Sequence, residues 1–218
     1  GTNSLLASYS GDATYGSSTS AAASIVVSKN DQTISFTDIP NKTFGGSTFS
    51  LVASASSGNA VTYTSTTTTK CTVNSSGVVT IVAAGSCSIS VSQSGNSTYN
   101  AAPTVTKSFT IAAKALTISG TTIATKVYNG TTTPAAVTVG SISGLIGSDT
   151  MTATAVVANY ALANAGTYTP VVTYTLVAGG VGLISNYFTD TQTVTAVISQ
   201  ASQTLTSTFS TATLRVDD

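Results

Sequence analysis

Sliding the chain along itself by about 84 residues brings two stretches into alignment. Ser4-Leu5-Leu6-Ala7-Ser8-Tyr9-Ser10-Gly11-Asp12-Ala13-Thr14-Tyr15 falls on Ser88-Ile89-Ser90-Val91-Ser92-Gln93-Ser94-Gly95-Asn96-Ser97-Thr98-Tyr99. Ser24-Ile25-Val26-Val27 then falls on Ser108-Phe109-Thr110-Ile111, and Thr33-Ile34-Ser35 on Thr117-Ile118-Ser119. Each copy reads as a strand, a turn at Ser-Gly-Asp/Asn, a Tyr anchor and a final strand that runs into the next domain. The repeat sets the expected boundaries. Residues 1–29 are the last two strands of a β domain whose beginning is missing, and Gly1-Thr2-Asn3 reads as a point inside a longer polypeptide. Residues 30–112 and 113–199 are two complete domains. Gln203-Thr204-Leu205 echoes Gln32-Thr33-Ile34, so 200–218 opens a further copy. The connections Ser28–Asp31, Ala112–Ala115 and Ser199–Ala201 are short, which restricts hinge motion and favours an extended array.

The strand pattern is clearest from Cys71 to Tyr99. Cys71-Thr72-Val73 ends one strand, and Asn74-Ser75-Ser76-Gly77 supplies the residues of a tight turn. Val78–Ala83 is apolar, Ala84-Gly85-Ser86 turns again, and from Cys87 to Gln93 Ile89 and Val91 alternate with serines. Upstream, Phe49–Ala53 is expected as one strand with Phe49, Leu51 and Ala53 on one face. Thr66–Lys70 reads as a polar edge or loop. In the second domain, Ala153–Tyr160, Val171–Leu176 and Val194–Ile198 read as strands. Strands recurring about every 10 residues between Gly/Asn/Ser turns predict an all-β fold of sandwich type.

Composition narrows the chemistry. Ser and Thr make up roughly a third of the chain, and charged residues are far below ordinary usage. Positive mean hydropathy and abundant β-branched residues favour folded β structure over disorder. The net charge is zero with no basic patch, so no nucleic-acid partner is expected. No apolar run approaches the roughly 18 residues of a membrane span, and no signal peptide opens the chain. His, Glu and Trp are absent. Without His, the Ser and Thr hydroxyls lack their usual activating base, and no S-x-x-K is present. The expectation is no enzyme, with no catalytic, cofactor or metal residues.

Several weaker candidates compete with plainer roles. Asp31 with Asp38, or Asp149 with Asp190, would contribute to a calcium site, although the preferred reading of each is a turn or cap residue. Lys107 and Lys126 are candidates for a lysine–asparagine cross-link. Asn41, Asn74, Asn96 and Asn129 each begin an N-x-[ST] triplet, as chance allows in so Ser/Thr-rich a chain. The tyrosines read as anchors with hydroxyls at the rim, Tyr15 and Tyr99 among them, or as a stripe that stacks on sugars.

Two resemblances add to this reading. Thr43-Phe44-Gly45-Gly46-Ser47-Thr48-Phe49-Ser50-Leu51, Ala55–Tyr63, Cys71-Thr72-Val73, Gly85–Ile89 and Gln93–Tyr99 together resemble the bacterial immunoglobulin-like repeats of large surface adhesins. Lys126-Val127-Tyr128-Asn129-Gly130-Thr131-Thr132, with Asn164–Tyr168 and Asn186-Tyr187-Phe188, is similar to the YDG-type domain of filamentous-haemagglutinin-like secreted proteins. Asn129 stands where that family's name has Asp. The substitution keeps the turn chemistry and removes a carboxylate that would strengthen any ion site.

The resemblances imply tandem immunoglobulin-like β-sandwiches: a truncated one at 1–29, a complete one at 30–112, a YDG-type sandwich at 113–199 and the start of another at 200–218. They imply a non-catalytic stalk or fibre segment of an exported bacterial surface protein. Its partners would be neighbouring domains of the same chain, with self-association into a filament or layer. The alternative is a module that binds surface glycans or another cell-surface ligand. Cys71 and Cys87 read as two buried thiols or as a disulfide, and the oxidising compartment that the resemblance implies favours the disulfide. Two thiols alone lack the remaining ligands of a structural zinc site, and the spacing is far wider than a redox C-x-x-C.

Overall fold

The computed structural model describes residues 2–206; of the anticipated further copy at 200–218, residues 207–218 lie outside the described residues. The described chain is all-β, and its single helical element is a short turn at Ile184–Asn186. It divides into two compact units, residues 1–112 and 113–218.

The first unit opens with β1 (Thr2–Leu5), β2 (Ser8–Tyr9), β3 (Ser18–Thr19) and β4 (Ala23–Val26). There follow β5 (Ile34–Phe36), β6 (Lys42–Thr43), β7 (Phe49–Ser50), β8 (Ala53–Ala55) and β9 (Thr62–Ser65). The unit closes with β10 (Cys71–Val73), β11 (Val78–Ile81), β12 (Gly85–Gln93) and β13 (Ala102–Ala112). A four-stranded sheet runs in the order β6-β13-β12-β9, and a three-stranded one runs β10-β11-β7. β5 pairs with β8, β1 with β4, and β2 with β3.

β12 shows why the alternating serines matter. A strand sends successive side chains to opposite faces. Cys87, Ile89, Val91 and Gln93 therefore point inward and are buried, while Ser88, Ser90 and Ser92 lie nearer the outside. Phe109 and Ile111 of β13 extend the same core, and Phe109 meets Phe49 edge-on at 5.7 Å between ring centroids. The Lys42 ammonium sits 4.5 Å from the centroid of the Phe49 ring.

Three local expectations are corrected. The strand anticipated at Phe49–Ala53 is two strands in different sheets. Leu51 N–H donates to Gly77 C=O on one side, and Thr37 N–H donates to Val52 C=O on the other. The chain thus crosses from one sheet to the other between them, leaving Leu51 buried and Val52 68% exposed. β12 also begins at Gly85, inside the anticipated turn, because Gly85 already pairs with Ile111. Tyr15 is no anchor, since its side chain is 69% exposed.

Gln32, one residue before the repeated Thr33-Ile34, is buried and knits the unit together. Its Nε2 donates to Gln93 Oε1 at 2.5 Å and to Asn100 C=O at 2.6 Å, and its Oε1 accepts from Ser57 Oγ at 2.5 Å. A Leu of similar size would remove all three bonds and leave the buried Gln93 Oε1 with the Gly95 N–H alone. Gln32→Leu should lower the stability of the first unit by about 1–3 kcal/mol. An unchanged urea midpoint would show that water replaces the amide without cost.

The second unit contains β14 (Lys114–Ser119), β15 (Thr122–Ile123), β16 (Lys126–Val127), β17 (Val137–Thr138), β18 (Ser141–Ser143) and β19 (Met151–Val157). It continues through β20 (Gly166–Tyr168), β21 (Val171–Ala178), β22 (Tyr187–Thr189), β23 (Gln192–Thr193) and β24 (Ala196–Ser199). Its sheets run β18-β14-β22, β16-β24-β20, β19-β21-β23 and β15-β17. Around Ile118, Ile123, Val172, Tyr174, Ala196 and Ile198 they enclose one apolar core. The strand anticipated to reach Tyr160 stops at Val157, and Tyr160 turns inward instead.

Candidate functional site

Cys71 at the head of β10 and Cys87 in β12 form a disulfide with a Cα–Cα distance of 5.8 Å. Neither residue is exposed. Because β10 and β12 belong to different sheets, the bond ties one sheet to the other. The polar groups beside it are satisfied locally. Ser65 Oγ donates to Cys71 C=O at 2.7 Å, and Ser88 N–H donates to Thr67 Oγ1 at 2.9 Å. Lys70 lays its stem over Gly85 and donates from Nζ to Ala84 C=O at 2.8 Å. Thr66–Lys70 is therefore a turn that closes over the disulfide. The sulfurs are consumed by the bond, so the pair supplies a clamp, with no thiolate for chemistry.

Tyr128-Asn129-Gly130 forms a tight loop after β16. Gly130 takes a φ of 75°, which glycine adopts without steric cost. Asn129 Oδ1 accepts from the Thr131 N–H at 3.2 Å and from its hydroxyl at 2.9 Å. Lys126 Nζ donates to Thr131 C=O, Thr131 Oγ1 and Thr133 C=O at 2.7, 2.6 and 2.8 Å. The ammonium thus holds the loop through threonine oxygens, and these bonds bring it to no asparagine carboxamide. Lys107, the other cross-link candidate, pairs with Asp38.

The carboxylates are dispersed. Asp31 accepts from Asn100 Nδ2, Asp38 from Lys107 and Asp149 from the Tyr187 hydroxyl, while Asp190 is exposed. Among the described residues no three carboxylate, Cys or His groups converge as metal donors would. Burial, then the bond to Asp149, raises the Tyr187 hydroxyl above its ordinary pKa.

The four N-x-[ST] asparagines share one structural job. Each Oδ1 accepts a backbone N–H: Thr110 for Asn41, Ser76 and Val78 for Asn74, Thr98 and Tyr99 for Asn96, and Thr131 for Asn129. At Asn74, Asn96 and Asn129 these are the local side-chain turns that Asn readily forms in a loop, whereas Asn41 reaches across to β13.

The Asn96 turn has a titratable twin. Asp12 Oδ1 accepts from the Thr14 and Tyr15 amides at 2.8 Å each, and Asp12 Oδ2 from the Tyr9 hydroxyl at 2.6 Å. The Tyr9 bond first, then the two amides, holds the Asp12 carboxyl below its ordinary 3.8. A depressed folded pKa contributes stability above the unfolded value that is lost as pH falls through the folded one. The Thr14 and Tyr15 amide resonances should therefore shift as pH drops below 3.8, while Thr98 and Tyr99, held by uncharged Asn96, stay put. Parallel shifts in both turns would refute the assignment.

One arrangement escaped the sequence reading. Tyr160 and Tyr168 stack with ring centroids 5.3 Å apart and an interplanar angle of 24°. They line a cleft of about 470 Å³ with Asn159, Thr167, Thr169 and Pro170. The Tyr160 hydroxyl is buried without a hydrogen-bond partner, and the Tyr168 hydroxyl donates to Asn164 C=O at 2.7 Å. The available signal was two tyrosines flanking a turn at Asn164–Gly166, which spacing alone does not bring face to face.

Among solved structures, the chain is similar to the Drosophila N-cadherin EC1-3 structure at 13% identity and a TM-score of 0.27, covering 79% of this chain and 69% of that one. For surface layer protein SbsC, domains 1–6, the values are 12%, 0.28, 85% and 30%. For Drosophila N-cadherin EC1-4 they are 12%, 0.27, 92% and 58%. The chain therefore spans less than a third of the SbsC structure. TM-scores this low carry no argument about this chain. No curated protein matches it. One family model does match: the YDG domain, over residues 112–196.

Proposed function

We propose that this chain is a non-catalytic structural segment, part of the stalk or fibre of a large exported bacterial surface protein. In this reading residues 30–112 and 113–199 are tandem immunoglobulin-like sandwiches of an extended extracellular array. Their partners are neighbouring domains of the same polypeptide, with self-association into a filament or layer. The observation that carries the reading is a YDG domain that follows, in sequence, an all-β unit two of whose sheets are tied by a buried disulfide. Such a bond persists in oxidising compartments outside the cytosol. The chain has no His and no Glu, so its many hydroxyls have no evident activating base.

Small-angle scattering of the full chain tests the array. An elongated particle, with no titratable thiol in protein recovered from outside the producing cell, supports the proposal. A compact particle, or reduced cysteines, counts against it.

The Tyr160–Tyr168 cleft favours a second reading, a carbohydrate-binding module, because stacked aromatic faces beside hydroxyl and amide groups suit sugars. Binding on a glycan array that disappears with Tyr168→Ala would put this reading first.

A further inference from the structure

The sequence repeat is reproduced in the backbone to the register. β1 pairs with β4 so that Asn3 faces Ile25, Ser4 faces Ser24 and Leu5 faces Ala23. β12 pairs with β13 so that Cys87 faces Phe109, Ser88 faces Ser108 and Ile89 faces Lys107, the same partners at the same displacement. The turns agree too. Gly11 and Gly95 take φ values of 83° and 77°, and Asp12 and Asn96 cap equivalent amides.

The surroundings differ. Ile89 and Val91 are fully buried and Phe109 nearly so, whereas Leu5 is 55% and Ile25 44% exposed and Ala7, the counterpart of Val91, is exposed as well. β12 is also paired along its outer edge by β9, while among the described residues the β1–β4 ladder has two strands only. Ser88, at that outer edge, donates its N–H to Thr67 Oγ1 and accepts from the Thr66 N–H. Ser4 and Leu6 are the counterparts of Ser88 and Ser90. A lone two-stranded ribbon buries too little to be stable by itself.

We infer that residues 2–27 form a docking ribbon for a polypeptide half-module of the kind seen at residues 32–84. One strand of the occupant, equivalent to β9, pairs antiparallel with the outer edge of β1. An apolar sheet, equivalent to β10-β11-β7, covers Leu5, Ala7 and Ile25. The occupant is uncharged along the ladder, because the ribbon's one side chain charged at neutral pH is Asp12, in its end turn. Asn3 stands where Cys87 stands in the other copy, so the occupant presents a hydrogen-bonding group there in place of a thiol. A second copy of this chain fits less well. Its own sheet of this kind is already covered by β12 and β13, tied to it through Cys71 and Cys87, and its ribbon offers only two strands.

The test joins an added copy of residues 30–84, carrying Cys71→Ser, to Gly1 of the full chain, as Ala84 is joined to Gly85. In the parent chain the amides of Ser4 and Leu6 should exchange rapidly. In the chimera they should slow by about 100-fold, and Ile25→Asp in the same chimera should restore rapid exchange. Exchange in the chimera as fast as in the parent overturns the inference. So does a chimera that closes only after Leu5→Ile, Ala7→Val and Ile25→Phe, since the ribbon's own side chains would then not accept such a sheet. A parent chain that is dimeric with these amides already protected also overturns it, with a second copy as the occupant. The inference rests on the repeat and its register, so its failure leaves the surface-protein reading untouched.

Discussion

Replacing both cysteines, Cys71→Ala with Cys87→Ala, should cost the first unit about 3 kcal/mol and leave the second unit unchanged. The bond spans a sequence separation of 16, and closing a loop of that size removes about 3 kcal/mol of denatured-state freedom in the chain-entropy model. Two further features push the same way. Both residues are fully buried, so truncation leaves a small void between the sheets. β10 is also only three residues long and pairs with β11 alone, so little besides the bond fixes its head against β12. For a domain of this size the loss corresponds to a fall of roughly 12–24 °C in melting temperature. Scanning calorimetry of the full chain should show one transition moving down and the other holding its position. The clamp would be dispensable if neither moved, and its assignment to one unit would be wrong if both moved together.

Gly140→Ala should destabilise the second unit by about 3 kcal/mol or more. A Cβ at Gly140 would overlap the carbonyl oxygen of Ser119 and come within 2.7 Å of the Gly120 carbonyl carbon. Both obstacles are backbone, so no flexible side chain can yield. The strain also has a route into the core. Gly140 N–H donates to Thr121 Oγ1 at 3.2 Å, and the Tyr174 hydroxyl lies 2.9 Å from that oxygen and 2.9 Å from Gln192 Oε1. Gln192 Nε2 in turn donates to Ile118 C=O at 2.7 Å. Moving one backbone past the other therefore disturbs Tyr174 and Ile118, both of the apolar core. Gly130→Ala is the contrast: its φ of 75° is strained for alanine, but nothing lies within 4 Å of the new methyl. It should cost only about 1 kcal/mol. Urea denaturation that ranked the two the other way would show that the close approach at Ser119 relaxes cheaply.

Much of the local structure was open to inspection in the residues themselves. Alternation of Ile89 and Val91 with serines marks a half-buried strand, because the side-chain period of extended backbone is two. Asn74 and Asn96 beside Gly77 and Gly95 mark turns, because those residues satisfy or permit the required backbone geometry. The repeat survives as register, because pairing follows the same pattern of side chains in both copies.

What lies across from a strand is another matter, since alternation says which side chains share a face and nothing about what meets that face. Leu5 and Ile89 occupy equivalent positions in equivalent ladders, yet one is exposed and the other buried. In the run Phe49–Ala53 the apolar Val52 interrupts the alternation, but a run of apolar residues by itself does not say that the chain passes from one sheet to another at Leu51 and Val52. The residues of Cys71 and Cys87 allowed thiols or a bond, and only the approach of two sheets to a Cα separation of 5.8 Å joined them. Gly140 and the Tyr160–Tyr168 stack depend likewise on segments distant in sequence. Short-range order follows from backbone sterics and side-chain period, whereas these contacts form only when the sheets pack.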